Sequence, residues 1–566
     1  MSDFKNLIIA MIAAVAILAG WQYFYESPKL KEYEKQAEIR RKTDITSSIK
    51  IQKPEKFLSR EDSLDHYKNR VRVKGDKIEG SISLVGARVD DIILSQYAKT
   101  INGDMPVEIL HPSRSKDSYF AEFGWFSQSK DIDLPSANTV WRANKKILRS
   151  GESVMLTWIN RQGITFQMDI YLDKEYMFTI RKSIKNGSGN KLVVQDYSLI
   201  NRIFEQEKKF AISHEGPLGV FNGILDEVSY EDLQSKNKVE FNDNKAGSWF
   251  GISDKYWLSA IIPDKNRKFD SNFRHSKYLD KDKYQVAYLA EEEVIAPGSE
   301  SLSVSHLFVG AKVVSILDFY GQYLNLDLFD RAVDFGWFYF ITKPMFSALK
   351  FFYEVVGNFG LSILIVTIIV KIFLFPIANK SYYSMSKMKK LAPEMNRIKE
   401  LYADDKMKQN QAIMELYKKE KVSPLSGCLP LLVQIPIFFS LYKVLFITIE
   451  MRHAPFYGWI HDLSAADPTT IFNLFGLISW QPPSFLMIGA WPLIMAFTMY
   501  IQQKMSPEPS DPIQAKVMKL LPLIFIFMFA SFPAGLVIYW AWSNILSVAQ
   551  QYFIKIRAYR KENLVI

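Results

Sequence analysis

The stretch Val366–Pro376, VTIIVKIFLFP, decides how this chain is read. It sits inside an apolar run, about 358–379, and a helix crossing a bilayer takes roughly 20 such residues. Yet Lys371 stands near its middle, where an ammonium costs on the order of 3 kcal/mol. Such a segment calls for both a membrane and a use for its charge.

Five further segments approach the same length: about 6–25, 428–449, 485–503, 518–533 and 534–553. The whole-chain composition, 48% hydrophobic and 23% charged over 566 residues, hides this division. Residues from about 30 to 330 are polar and mixed in charge, whereas the long apolar runs follow about 335. The first segment also fits a cleaved signal peptide, but Trp21, Tyr23, Phe24 and Tyr25 suit the aromatic anchor of a retained helix.

The net charge of +10 concentrates between and after the apolar runs. The segment Lys380–Lys421 carries nine further lysines and arginines, among them Lys387, Lys390, Arg397, Lys406 and Lys419, so it is placed in the cytoplasm. The loop Glu450–Ser484 has only Arg452 and is placed outside. Both termini are then cytoplasmic, and residues 28–357 lie outside or at the outer interface. This charge pattern suits cytoplasmic loops rather than a nucleic-acid surface. The one cysteine, Cys428, excludes an intrachain disulfide.

Outside, the apolar period is near two. VRVKGDKIEGSISLVGARV reads as two strands about a Gly-Asp turn. The segments around Gly163 and Asn186-Gly187 repeat that pattern. Several such hairpins predict a large antiparallel β-sandwich. The aromatic stretch 331–357, broken by Lys343, Pro344 and Lys350, suits an amphipathic helix in the outer interface or one docked on the sandwich. The predicted architecture is thus a multidomain membrane protein. An anchor (1–27) leads to the periplasmic β-sandwich (28–330) and the interfacial helix (331–357). A helical core (358–566) follows, with five transmembrane helices and a cytoplasmic helical hairpin at 380–424. With the anchor, the transmembrane helices number six.

Three explanations compete for Lys371. Snorkelling to Lys380, nine residues on, spans roughly 13 Å of helix, more than the side chain covers. An intramembrane ion pair lacks a partner, since no carboxylate lies inside the six segments. A hydrated recess fits best. Thr367 lies one turn before Lys371, Pro376 leaves the Ile372 carbonyl without a donor, and Gln434, Gln503, Tyr539, Trp540, Ser543 and Asn544 offer uncharged polar lining. This reading is of a binding groove rather than a catalyst. His214 and Glu215 suggest no catalytic set, and His453, His461 and Asp462 lack convincing metal-ligand spacing.

The segments KVSPLSGCLPLLVQIPIFFSLYKVL, APFYGWIHDLSAADP, QQKMSPEPSDPIQAKVMKLLPLIF and FPAGLVIYWAWSN resemble, in order, signatures of the YidC/Oxa/Alb membrane-protein insertase family. HEGPLGVFNG and WFGISDKYWLSAIIP resemble the outer domain of its Gram-negative branch. The resemblance implies a five-helix core around a groove open to cytosol and lipid and closed toward the outside. It places Lys371, where such members usually carry arginine, together with Thr367, Gln434 and Trp540 in or near that groove. Phe438 and Met528 match the apolar faces along which a substrate helix leaves. Gln503 and Tyr539 are added to the groove from the residues themselves.

The implied function is insertion of nascent membrane proteins into the inner membrane, alone or with the Sec translocon and its accessory subunits. Ribosome or targeting-receptor contact is expected through the cytoplasmic loops. Membrane lipids surround the core, and no cofactor or metal is called for. Other readings are an anion channel or transporter, disfavoured by the lack of internal repeats, and a chaperone that folds without inserting. In the cytoplasmic segment, Met388, Leu391, Met395, Ile398 and Tyr402 form one stripe, and Met407, Met414 and Tyr417 a second. Either stripe can receive substrate or pack the hairpin on itself.

Overall fold

Turn chemistry starts the outer domain. Strand Arg70–Lys74 turns through Gly75 and Asp76 and pairs antiparallel with Ile78–Ser83, as the sequence predicts. Glu152–Ile159 pairs likewise with Thr165–Leu172 across the Gly163 turn, where φ is +79° and a side chain would be strained. In Thr165–Leu172 every second residue is buried, the alternation of a strand with one face on a core. The computed structural model describes residues 57–563 apart from 102, 104, 130, 206–212, 244, 404, 421, 423–428, 481, 484–486 and 506–511. The first apolar segment, 6–25, and Cys428 lie outside the described residues.

These hairpins build a sandwich of two mainly antiparallel sheets, one of 11 strands and one of 9. Buried Ile82, Phe166, Ile170, Phe250, Phe273 and Phe308 contribute to its core. Asn186-Gly187 departs from the expected hairpin. Met177–Lys185 belongs to the 9-stranded sheet and Leu192–Ile203 to the 11-stranded one, so the chain crosses between layers there. The crossing is fixed by Asn186, whose amide donates to the carbonyls of Asn190 (2.8 Å) and Ile295 (3.1 Å). A fully buried ion pair between Lys182 and Asp196 joins the two strands through the core. Local turn propensity cannot report a pairing made between layers.

Twelve α-helices accompany the sheets among the described residues: α1 (Arg60–His66), α2 (Tyr230–Lys236), α3 (Val314–Tyr323), α4 (Tyr339–Val356), α5 (Phe359–Phe373), α6 (Phe375–Lys390), α7 (Ala392–Leu401), α8 (Lys406–Lys419), α9 (Leu429–Ile447), α10 (Ala490–Met505), α11 (Pro512–Phe529) and α12 (Ala534–Asn563). The stretch 331–357 forms α4, whose buried residues Thr342, Phe346 and Leu349 follow helical spacing. That face packs against α5 and α9, so the helix docks on the helical core rather than on the sandwich. Phe340, Phe351 and Val355 stay exposed on it.

No single described helix is both long and apolar enough to cross a membrane; α5 and Phe375–Ser384 of α6 reach that length as a pair bent by 62°. Of the six expected spans, the five from 358 onward are therefore not recovered as single long apolar helices among the described residues. The reasons are local: α10 runs 16 residues, roughly 24 Å. Lys516, Lys519 and Pro522 lie within α11, and Pro436 and Lys443 within α9, which lowers the apolar character of each.

The sandwich is fastened to the C-terminal end of α9. Tyr256 Oη donates to the Phe446 carbonyl (3.3 Å), and Lys443 pairs with Asp334 of the segment between the sandwich and α4 (2.8 Å). Arg452 donates to the carbonyls of Ala98 (2.7 Å) and Lys99 (3.1 Å). The loop after α9 folds back over the start of α12, where Ala534 N–H donates to Ala465 (2.7 Å) and Gly535 N–H to Leu463 (3.0 Å). In that loop Asp462 accepts from the Ser464 N–H and hydroxyl, which makes it a turn residue.

Candidate functional site

Lys371 owes its position to a proline five residues later. Pro376 has no N–H to offer Ile372, so α5 ends at Phe373 and the chain restarts as α6. Leu374 N–H still reaches Val370 (3.0 Å), but the Lys371 carbonyl is met from outside, by Gln550 Nε2 of α12 at 3.3 Å. Lys371 thus occupies the last turn of α5 rather than the middle of a straight span. Carbonyls at a helix C-terminus carry partial negative charge and favour a cation there.

The ammonium meets two side chains. Lys371 Nζ donates to Ser547 Oγ at 2.9 Å and to Gln434 Oε1 at 3.4 Å. Gln434 Nε2 in turn donates to Tyr539 Oη, and Ser547 Oγ to the Ser543 carbonyl at 2.8 Å. An ammonium has three protons, and the third has no protein acceptor among the described residues; no carboxylate pairs with Lys371 there. The site is a half-buried cation held by neutral groups, with one donor to spare.

Of the residues singled out from the sequence, Lys371, Gln434 and Tyr539 form one hydrogen-bonded chain. Thr367 is buried one turn below and donates to the Ile363 carbonyl (2.6 Å). Gln503 lies on α10 with its amide nitrogen enclosed and unpartnered among the described residues. Asn544 faces α10, donating to Thr498 Oγ1 at 3.2 Å. Trp540 joins an aromatic cluster, its ring centroid 4.7 Å from Phe438, 5.2 Å from Phe529 and 5.9 Å from Phe525. Met528 is exposed on α11, one residue from that cluster. Polar network and aromatic cluster therefore adjoin through neighbouring residues of α12, Tyr539 and Trp540.

Two polar residues, Ser547 and Gln550, escape a residue-by-residue reading. They continue a stripe on α12 in which Tyr539, Ser543 and Ser547 recur every four residues and Gln550 follows three later, the spacing of one helical face. Lys443, inside the apolar run 428–449, also escapes it; its ion pair places it at the junction with the outer domain. His214 is held in place there: its ring contacts the Pro217 carbonyl (3.0 Å), its backbone N–H donates to Asp334 (3.2 Å), and burial keeps its imidazole pKa below the ordinary value.

Family comparisons fit both halves. Residues 351–562 match the model of the 60Kd inner membrane protein family, and residues 70–348 that of the YidC periplasmic domain. The chain belongs to the YidC family of membrane protein insertases. It is 50% identical to the membrane protein insertase YidC of Rickettsia conorii, covering 97% of this chain and 98% of that one. The YidC of Rickettsia bellii is 50% identical, over 98% and 99%. A crystal structure of an active YidC insertase aligns over 86% of this chain and 92% of that one, with 16% identity and a TM-score of 0.37. The YidC-family chain is thus an inner-membrane protein with a large β-rich periplasmic domain, and its role is non-enzymatic. The end of α9 that carries the sandwich marks the periplasmic side.

Proposed function

We propose that the chain inserts nascent membrane proteins into the inner membrane by receiving a short polar segment at Lys371 and releasing the adjoining apolar helix past Phe438 and Met528. The observation that carries this reading is the spare ammonium donor, flanked by Gln434, Ser547 and Tyr539 and without a carboxylate among the described residues. A fixed carboxylate would neutralise the cation; neutral partners orient it and leave its charge for a guest.

On this reading the groove is wet, and Lys371, Thr367, Gln434, Gln503, Tyr539 and Trp540 lower the cost of bringing a polar tail into the bilayer. Apolar burial, at roughly 25 cal/mol per Å², then drives the following helix into lipid. That gain outweighs a short polar tail but not a long charged domain. Longer translocated regions call for the Sec translocon as partner, and ribosome or targeting-receptor contact falls to the cytoplasmic segment, whose basic helices are α6 and α8.

The test is insertion of a small substrate into liposomes by the full chain, with an acidic or a neutral tail. Lys371→Ala is expected to slow the acidic substrate roughly tenfold or more, the worth of a charge-assisted hydrogen bond, and the neutral one less. Equal rates for wild type and variant on both substrates would remove Lys371 from the mechanism.

A further inference from the structure

A second site lies on the other side of α9, at the periplasmic junction. A cleft of about 660 Å³ opens between the sandwich, the segment leading into α4, and α9. Phe439 and Lys443 supply its α9 wall. Gln434 lies nine residues before Lys443 on α9, roughly 14 Å along the axis, so the cleft is separate from the Lys371 network.

Its charges divide into a spent pair and a free pair. Lys443 and Asp334 are bound to each other. Asp334 also accepts from the Gly336 N–H (3.0 Å), and Gly336, with φ +73°, leaves room where a Cβ would stand 3.1 Å from Lys443 Cε. Arg331 and Glu227 remain. The Arg331 guanidinium lies over the Tyr339 ring, 3.5 Å from its centroid, and its side chain makes no hydrogen bond or ion pair among the described residues. Stacking covers one face and leaves the in-plane N–H edge, the edge that grips phosphate. The Glu227 carboxyl, on the sandwich wall, likewise has no ion pair among the described residues. Its side chain is exposed on the cleft wall, and desolvation by its surroundings and then Asp334 push its pKa up against the weaker opposing charges of Lys443 and Lys312. The rim is apolar and unusually open: Trp337 is 83% exposed and Phe439 48%. An exposed indole such as that of Trp337 suits the headgroup level of a membrane, and Phe439 lies deeper, midway along α9.

We infer that this cleft holds the headgroup of an outer-leaflet phospholipid that carries a primary amine, with its phosphodiester on Arg331, its ammonium on Glu227 and its acyl chains leaving over Trp337 and Phe439. A zwitterion is selected because, among the described residues, the cleft offers one free cation and one free anion, and a lipid because the rim continues into the exposed face of α9 at Leu432, Ile435 and Phe439. The site goes beyond insertion and needs no substrate.

The test uses the delipidated full chain in detergent and counts retained lipid by native mass spectrometry. The lipids are phosphatidylethanolamine and phosphatidylglycerol with identical acyl chains. Wild type should hold one phosphatidylethanolamine roughly tenfold more tightly than phosphatidylglycerol, the ratio of one charge-assisted hydrogen bond. Arg331→Gln should weaken both lipids, and Glu227→Gln should abolish only the preference. Trp337→Ala should weaken whole lipids while leaving binding of free glycerophosphoethanolamine unchanged. Equal retention of the two lipids by wild type, or a preference that survives Glu227→Gln, overturns the proposal. Free glycerophosphoethanolamine binding as tightly as the lipid overturns the lipid as its source. Thermal melting confirms that each variant is folded. Lys371→Ala should keep the lipid, so failure of the insertion reading and of this one are told apart.

Discussion

Ser547 illustrates how one hydroxyl can set the use of a charge. It accepts from Lys371 at 2.9 Å while donating to Ser543, so it cannot turn its proton toward the ammonium. It therefore presents only acceptor density to the cation and fixes its position. Ser547→Ala removes that acceptor but not the charge. Insertion of an acidic-tailed substrate should fall by about fivefold, matching a hydrogen bond of about 1 kcal/mol, and less than with Lys371→Ala. A loss equal to that of Lys371→Ala would mean that the variant has displaced the lysine, which crosslinking from position 371 would reveal. Lys371 itself was legible because a charge inside an apolar run is conspicuous. Ser547 and Gln550 were not, since lone polar residues on a helix are common and only the repeat from Tyr539 exposes them. Asn544, one residue from Ser543, looks equally fit for the groove yet turns to Thr498; rotation of about 100° per residue decides this, and composition is blind to it.

At the scale of elements, α3 has lost its own cap and borrows one. Val313 occupies its N-cap position and offers no side-chain acceptor. Glu450, in the 3₁₀ turn Ile449–Met451 after α9, supplies Oε1 to the Val314 N–H at 3.2 Å. Its other oxygen is buried without a partner among the described residues. Burial pushes the carboxyl up to about 7 from an ordinary 4.5, with Lys350 of α4 a weak opposing charge. A raised acid favours the folded state when protonated, so this contribution is intact below pH 4.5 and is lost as pH rises toward 7. The loss is on the order of 3 kcal/mol. Glu450→Gln keeps the Oε1 acceptor and cannot ionise. Melting of the full chain should show the variant equal to wild type near pH 4 and more stable at pH 8. A constant difference across that range would remove Glu450 as the titrating group. Contacts of this kind join parts of the chain 136 residues apart, so no local pattern foretells them. Alternation and glycine turns were enough for the hairpins at Gly75 and Gly163, where partners are neighbours in sequence. They failed at Asn186, where the Lys182–Asp196 pair carries the chain into the other sheet.

For the whole molecule, the two ends of the helical core differ in what covers them. The periplasmic end is closed by the sandwich and by the loop that binds Ala534 and Gly535. The opposite end leads from the α5 break through α6 to the α7–α8 pair, and its main described contacts are with helices. On the insertion reading proposed above, this asymmetry leaves the uncovered end for delivery of substrate. The α7–α8 pair is itself divided. Met395 is buried and takes a contact from Tyr417 Oη at 3.4 Å, and Gln409 ties the pair by donating to the Lys399 carbonyl (3.0 Å). Met407 (84% exposed) and Met414 (49%) stay open on α8. Met395 of the first stripe and Tyr417 of the second thus pack the pair, and Met407 and Met414 leave an adaptable apolar surface on α8. If that surface receives substrate, Met407→Ser with Met414→Ser should slow insertion severalfold while Met395, and with it the melting of the pair, is untouched. Lengthening the substrate's apolar helix should partly restore the rate, because stronger lipid partitioning compensates for weaker capture. An unchanged rate in the double variant would leave α7 and α8 as a spacer, with capture beginning at the groove itself.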